Sequence, residues 1–209
     1  MTLIVDAVLV LGGVALGRWI VRRVRAGRAR ALPEGPPAAT AEQGPAPRDL
    51  PASLPCKLGD VVVRVAGGGE AWLAGALVLG EERPVAALFA APEAGGDLAL
   101  YVRDVPGAGI TWLSPLPEGT VGATKEPPHT IEHDGVRFER ARRVPMHVSR
   151  VGTGAPWPGD QAVVAEYAGP GADRILVLAG TEKLLAWKGV VLGEGEYDVL
   201  PGTDTTRVA

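Results

Sequence analysis

Glycine and proline are spaced too closely along this chain for it to fold into long helices. The sequence holds 29 glycines and 19 prolines among 209 residues, and after Arg30 no window of 11 residues is free of both. Either residue destabilises the interior of a helix. The segments between them are short and rich in apolar and β-branched residues, which is typical of strands. The sequence therefore predicts an all-β fold after Arg30, with one short helix around residues 181–186.

The predicted strands form two groups with a similar order of elements. The first group comprises residues 61–65, 71–79, 85–90, 98–104 and 110–113, and the second comprises residues 130–133, 136–151, 161–168, 174–179, 184–192 and 197–200. In each group a short strand and a turn precede a long strand, and further strands follow. Residue identity between the groups is poor, so only the order of elements indicates a repeat. We expect two similar antiparallel units, packed as a sandwich or as paired small barrels.

The pair Asp134-Gly135 marks the clearest hairpin. It is a preferred pair for type I′ turns, in which both central residues need a positive φ. Apolar and polar residues alternate on both sides of this turn, between Thr130 and Arg142. We therefore expect one face of the hairpin to lie in the core and the other in solvent.

The first thirty residues have the composition of a membrane anchor. Leu3–Val21 is an apolar run that would span about 28 Å as a helix, close to the ~30 Å hydrocarbon core of a bilayer. Asp6 and Arg18 lie near its ends, where charged side chains can reach the headgroups. The predicted membrane-flanking residues are Arg18, Trp19, Arg22, Arg23 and Arg25. Because the positive charge follows the run, we expect a single pass through the inner (cytoplasmic) membrane, with the C-terminal domain in the cytoplasm.

Two other interpretations of this segment stay open. A cleaved secretory signal would need basic residues before the apolar run and a small-residue cleavage site after it, and the sequence has neither. A helix lying on the membrane surface is consistent with Arg18, Arg22 and Arg25, which share one helical face. Within the run, Gly13 and Gly17 form a G-x-x-x-G motif, through which two anchors could pack as a weak homodimer.

Composition divides the rest of the chain. Residues 31–55 hold seven prolines and almost no large apolar side chain, which predicts an extended tether. The β-rich domain is predicted for residues 56–202, with halves at about 56–118 and 127–202, and a tail at 203–209. Cys56, the only cysteine, excludes an intramolecular disulfide and is interpreted as a linker residue.

Charge is distributed unevenly along the chain. Residues 1–33 hold six arginines and one aspartate, a net charge of +5, whereas the whole chain carries −3, which leaves −8 for residues 34–209. An acidic domain is repelled by an anionic membrane surface, so we expect it to stand away from the bilayer. The same charge argues against nucleic-acid binding, which normally requires a basic domain.

Several short segments, taken together and in order, resemble one bacterial family. They are Leu58–Val62, Trp112–Leu113, Pro128 with Thr130–Phe138, and Glu196–Gly202. Between Leu58 and Gly202 the chain resembles the domain-of-unknown-function family 4178, although it is richer in alanine and poorer in tyrosine. The resemblance implies a β-rich bacterial domain with no established activity and an association with membrane-stress physiology. It implies no catalytic residue.

The sequence contains no recognisable catalytic, cofactor or metal motif. The most suggestive cluster consists of His129, Glu132, His133, Asp134 and His147. On a helix His129 and His133 would be neighbours, but on a strand they lie about 13 Å apart, too far to share one metal ion. We therefore predict no catalytic residue, no cofactor and no metal.

A group of arginines is the best candidate for a partner surface. Arg137, Arg140, Arg142, Arg143 and Arg150 form a basic segment in an otherwise acidic domain. Regular strand alternation would place Arg140 and Arg142 on one face and Arg137 and Arg143 on the other. The segment could dock an acidic peptide or a lipid headgroup.

Two hypotheses about function follow. The first is a single-pass membrane protein whose cytoplasmic β domain binds another protein and acts as an adaptor or accessory factor. The alternative is an enzyme or small-ligand binder that uses a cleft between the two half-domains, which requires polar groups that converge in one pocket.

Overall fold

The computed structural model describes residues 49–93, 96–122 and 126–202. Every helix or strand in these ranges is a β-strand, so the all-β prediction is confirmed for them. They contain no helix of the length and hydrophobicity that crossing a membrane requires. The predicted anchor with its flanking residues, the Gly13–Gly17 motif, most of the predicted tether and the tail lie outside the described residues.

Twelve strands make up the described part of the chain. They are β1 (Val61–Arg64), β2 (Glu70–Trp72), β3 (Gly75–Gly80), β4 (Pro84–Glu93), β5 (Gly96–Arg103), β6 (Ile110–Pro115), β7 (Thr130–His133), β8 (Val136–Gly152), β9 (Gln161–Ala168), β10 (Asp173–Gly180), β11 (Leu184–Leu192) and β12 (Tyr197–Leu200). All pairings between them are antiparallel.

Eight of these strands close a single barrel. Strands β3 to β6 form one four-stranded meander, and strands β8 to β11 form another. The meanders join at two seams, where β6 pairs with β11 and β3 pairs with β8. The expected sandwich or pair of small barrels is therefore wrong. Each meander alone has two edge strands without a partner, and both edge strands of one meander pair with those of the other. The repeated order of elements corresponds to the two meanders.

The remaining strands cover the outside of the barrel. Strands β12, β1 and β2 form a separate three-stranded sheet, in which the end of the described chain pairs with its beginning. Strand β7 extends the barrel sheet by pairing with the first residues of β8. Its turn has the predicted backbone, since Asp134 has a φ of 52° and Gly135 a φ of 73°.

Alternate residues of the barrel strands pack into different cores. In β4, Leu88 packs inside the barrel, whereas its neighbour Phe89 packs between the barrel and the three-stranded sheet. In β10, Leu176 lies in the interior core and Ile175 in a third cluster, which β7 and the start of β8 cover. Strand β3 and much of β4 and β10 are thus buried on both faces, which gives apolar strands rather than simple alternation.

Two sequence-based boundaries differ from the structure. The helix expected at residues 181–186 is absent, because this segment is a turn followed by the start of β11, which pairs with β6 and β10. The packed domain also begins before Cys56: Leu50 packs against the core beneath the three-stranded sheet, and Leu54 is buried there. Cys56 itself is a core residue and not a linker residue.

Candidate functional site

One end of the barrel carries charged side chains on its inner face. It lies where β5 and β9 end and where β6 and β10 begin. Five inward-facing residues define this polar mouth: Tyr101, Arg103, Arg142, Glu166 and Arg174. On the same strands, the next residues that face inward belong to the interior core. Val164, two residues before Glu166, and Leu176, two residues after Arg174, are examples. Polar groups therefore replace the apolar core at this end.

Glu166 is the centre of the polar mouth. Its Oε1 accepts a hydrogen bond from Tyr101 Oη at 2.8 Å and one from Arg142 Nη1 at 3.3 Å. Its Oε2 lies 3.7 Å from Arg103 Nη1, an ion pair too long for a direct hydrogen bond. The Glu166 side chain is only 20 % exposed. Since Tyr101 and Arg103 come from the first meander and the others from the second, the cluster joins the two halves.

Tyr101 acts as a neutral hydrogen-bond donor in this cluster. Burial raises the pKa of its hydroxyl, and the negative charge of Glu166 raises this pKa further, while Arg142 and Arg103 lower it by less. The phenol therefore stays protonated at all physiological pH values. It fixes the carboxylate in place and is unsuited to act as a base.

Arg174 lines a small cavity beside Glu166. Its Nη1 donates to the carbonyl oxygens of Gly171 and Asp173 at 3.1 Å and 2.7 Å, which hold the guanidinium at the barrel rim. The cavity has a volume of about 160 Å³. Tyr101, Arg103, Thr111, Glu166, Arg174 and Val191 are among its lining residues. Arg142 contacts Glu166 but does not line the cavity.

A β-bulge decides which of the candidate arginines reaches the polar mouth. The pairing of β8 with β9 shifts between Arg140 and Arg142, so that Arg140 lies opposite Tyr167 and Arg142 opposite Glu166. Tyr167 belongs to the third cluster, which lies outside the barrel. Arg140 faces the same side and donates to the carbonyl oxygen of Pro127 at 2.6 Å. The expectation that Arg140 and Arg142 share a face is therefore wrong, because a bulge interrupts strand alternation.

The other three candidate arginines lie away from the polar mouth and have separate partners. Arg137 is 3.6 Å from Glu139, Arg143 is 3.4 Å from Glu126, and Arg150 stacks over the ring of Trp157 at 5.5 Å. The five arginines thus do not form one continuous patch.

The histidine cluster does not assemble. His129 contacts Arg140, and His133 Nε2 lies 3.0 Å from Asp134 Oδ2 on the neighbouring turn. His147 pairs with Gly80 and Gln161 in the barrel wall. Within the described residues, no three His, Cys, Asp or Glu side chains are placed to hold a metal ion.

The opposite end of the barrel holds a mainly apolar cavity of about 290 Å³. Leu88, Ala99, Leu185 and Trp187 are among its lining residues. The ion pair between Lys183 Nζ and Glu118 Oε1, at 2.8 Å, lies at its edge. The two ends of the barrel therefore differ in chemistry.

An apolar row crosses the outer face of the three-stranded sheet. Val61 pairs with Trp72 on one side and with Leu200 on the other. Trp72 and Leu200 are 56 % and 54 % exposed. Glu70 and Asp198, which pair with Val63 in the next row, are exposed acidic neighbours. Trp72, Val61 and Leu200 are referred to below as the outer row.

No family model matches this chain, and neither does any curated protein or any solved structure.

Arg142 is the only member of the polar mouth among the candidate residues named from the sequence, where it is predicted to lie on an external surface. The signal for the other charged members is a charge at an inward-facing position of a largely apolar strand. Glu166 interrupts the apolar positions of β9, and Arg103 ends those of β5. A charged residue near the end of a strand is usually exposed to solvent, so this signal alone does not identify a site. Only the closed barrel shows that these charges meet in one place.

Proposed function

We propose that this protein is a small-ligand-binding β-barrel, held at a membrane by its N-terminal segment, and that the polar mouth is its binding site. One observation carries the proposal: charged side chains from both meanders converge on a cavity inside the end of the barrel. The proposal follows the alternative hypothesis from the sequence, a small-ligand binder that uses a cleft between the half-domains. It takes the polar mouth to be that cleft.

Three features of the mouth support binding. Mouths of β-barrels are common positions for ligands, since the wall is rigid and the interior is sheltered from water. The Arg142 and Arg103 side chains are 36 % and 37 % exposed, so solutes can reach them. Glu166 is held by neighbours on several strands, which preorganises the charge around it.

The chemistry of the cluster favours binding over catalysis. Tyr101 is buried and its raised pKa keeps it protonated, so it does not act as a nucleophile or a base near neutral pH. Glu166 is engaged by a phenol and two guanidinium groups, which orient it as a structural carboxylate. The arginines supply donors without proton transfer.

A ligand screen on the full-length protein tests this function. The midpoint of thermal unfolding is measured with a panel of anionic, neutral and cationic small molecules, for the wild type, Arg103→Gln and Arg137→Gln. We expect at least one compound to raise the midpoint of the wild type and of Arg137→Gln, but not that of Arg103→Gln. A panel without any stabilising compound, or stabilisation that Arg103→Gln leaves unchanged, would contradict the proposal.

Protein binding by an adaptor is a second candidate function, and the outer row favours it. Exposed aromatic and aliphatic residues in one row, with Glu70 and Asp198 beside them, suit a basic partner segment that carries an apolar anchor residue. Trp72→Ala should abolish retention of such a partner, whereas the exposed Val105→Ala should not. Equal retention by both variants would exclude the outer row as the docking surface.

The membrane location and the family are proposed from the sequence alone. We propose a single pass through the inner membrane, a cytoplasmic barrel, weak dimerisation through Gly13 and Gly17, and membership of domain-of-unknown-function family 4178. Membrane fractionation of the full chain and of a form without residues 1–30 tests the anchor. Extraction of the full chain by salt or carbonate would exclude a spanning helix.

A further inference from the structure

We infer that the ligand of the polar mouth is a small dianion, of the size of sulfate, phosphate or a short dicarboxylate. This inference rests on the proposed function and specifies the chemical class that the site accepts.

The polar mouth has a positive local charge. The polar mouth contains the guanidinium groups of Arg103, Arg142 and Arg174 and the carboxylate of Glu166, a net charge of +2. This positive site lies in a chain whose residues 34–209 carry −8, so it does not follow from general basicity. A ligand of charge −2 would neutralise it, whereas a cation would be repelled.

Two arginines of the polar mouth have N–H groups that are available to a ligand. A guanidinium has five N–H groups. Within the described residues, Arg103 has Glu166 as its partner only at 3.7 Å, and Arg174 uses Nη1 alone, for two carbonyl oxygens. Both arginines line the cavity, and their other N–H groups suit the oxygens of a planar or tetrahedral anion.

Glu166 separates the arginine that holds it, Arg142, from the two arginines that line the cavity. Arg142 approaches Oε1 from outside the cavity and, together with Tyr101, satisfies that oxygen. The carboxylate is thereby held by groups that do not depend on Arg103 or Arg174. These two arginines are thus left for the ligand, and their combined charge of +2 matches a ligand of charge −2.

The volume of the cavity suits a small ligand. A cavity of about 160 Å³ is similar in size to an engineered cavity of roughly 150 Å³ that holds one benzene molecule, which has six heavy atoms. Sulfate and phosphate each have five heavy atoms, and a short dicarboxylate has only a few more. A nucleotide or a sugar phosphate would extend well beyond the cavity. The site is therefore suited to the free small dianion.

Titration calorimetry on the full-length protein in detergent, with sulfate and succinate as probes, tests this inference. Chloride at equal ionic strength is the reference, and Arg137→Gln is the control variant, since Arg137 is exposed on the outer side of β8. We expect saturable binding to one site, weakened about ten-fold or more by Arg103→Gln and by Arg174→Gln. Glu166→Gln should strengthen binding, because it removes the repulsive charge but keeps the shape.

The outcomes separate this inference from the proposed function. If neutral or cationic compounds bind in a manner that depends on Arg103 while sulfate and succinate do not bind, the dianion class is wrong and the binding function stands. If the dianions bind equally well to the wild type, Arg103→Gln and Arg174→Gln, they bind elsewhere, and the inference is overturned. If nothing binds, both proposals fail. Circular dichroism of each variant identifies any loss caused by misfolding, and for a misfolded variant the conservative Arg103→Lys or Arg174→Lys is used instead.

Discussion

The hydroxyl of Tyr101 donates a 2.8 Å hydrogen bond to Glu166 Oε1 across the interior of the barrel. Tyr101 lies in β5 of the first meander, and Glu166 lies in β9 of the second. The bond therefore connects the two halves of the chain at the polar mouth. Tyr101 and Glu166 therefore contribute both to the closure of the barrel and to the proposed binding site.

Tyr101→Phe should destabilise the protein moderately. The variant keeps the ring in the core but removes a hydrogen bond to a charged acceptor, a loss of about 1.5–3 kcal/mol in the free energy of unfolding. Urea unfolding of the full-length protein measures this loss, with Tyr197→Phe as a matched control, since Tyr197 lies in the three-stranded sheet. An equal loss in both variants would contradict a specific role for the Tyr101–Glu166 bond.

Stability should fall at alkaline pH. Burial raises the pKa of Tyr101, Tyr167 and Tyr197 above the usual value of 10. Above pH ~10 the unfolded chain loses these protons while the folded protein retains them, so stability is complete below pH ~10 and declines as the pH rises further. For the buried Tyr101 the slope is up to about 1.4 kcal/mol per pH unit. Unfolding free energies between pH 9 and 11 should show a shallower decline for Tyr101→Phe; an unchanged slope would contradict this assignment.

Cys56 should react with thiol reagents only after unfolding. Its side chain lies beneath the three-stranded sheet, and burial, together with the charge of Asp60, raises the pKa of its thiol to about 12. Both effects suppress the thiolate, which is the reactive form. Labelling with a disulfide reagent at pH 8 should be slow for the native protein and fast in denaturant. Rapid stoichiometric labelling under native conditions would show that the segment around Cys56 opens locally.

The seam between β6 and β11 should not tolerate a side chain at Gly189. A Cβ at this position would overlap the carbonyl oxygen of Trp112 in the opposing strand. We expect Gly189→Ala to cost about 3 kcal/mol or more, because the backbone of the seam must move. Gly193 has an ordinary φ, and its nearest contact would be Glu196 Oε2 at 3.5 Å, so Gly193→Ala is the matched control. Similar thermal midpoints for the two variants would contradict the closed seam.

Local sequence signals predicted the strands but not the way they close. The Asp134-Gly135 turn and the β-branched segments specify hairpins, since each depends on neighbouring residues only. The pairing of β6 with β11 and of β3 with β8 joins segments more than sixty residues apart, and no local pattern encodes it. The short helix predicted at residues 181–186 includes the good helix formers Leu184, Leu185 and Ala186, but the pairing of these three residues in the barrel overrides that propensity.

The candidate site was hidden for a related reason. Arg142 was recognised as part of a basic segment, but the bulge beside it turns its side chain inward, towards Glu166. Glu166, Arg103 and Arg174 lie in three different strands, far apart in the sequence. Only the register of the closed barrel brings them together, so their common role could not be inferred from spacing.

The most direct test of a binding site at the polar mouth is a crystal structure of the protein grown with selenate, which replaces sulfate and is located by the anomalous signal of selenium. Our prediction is a selenium peak in the cavity, with oxygen atoms within hydrogen-bond distance of Arg103 and Arg174. Selenium peaks found only at external arginines such as Arg137, with the cavity unoccupied at saturating selenate, would contradict it.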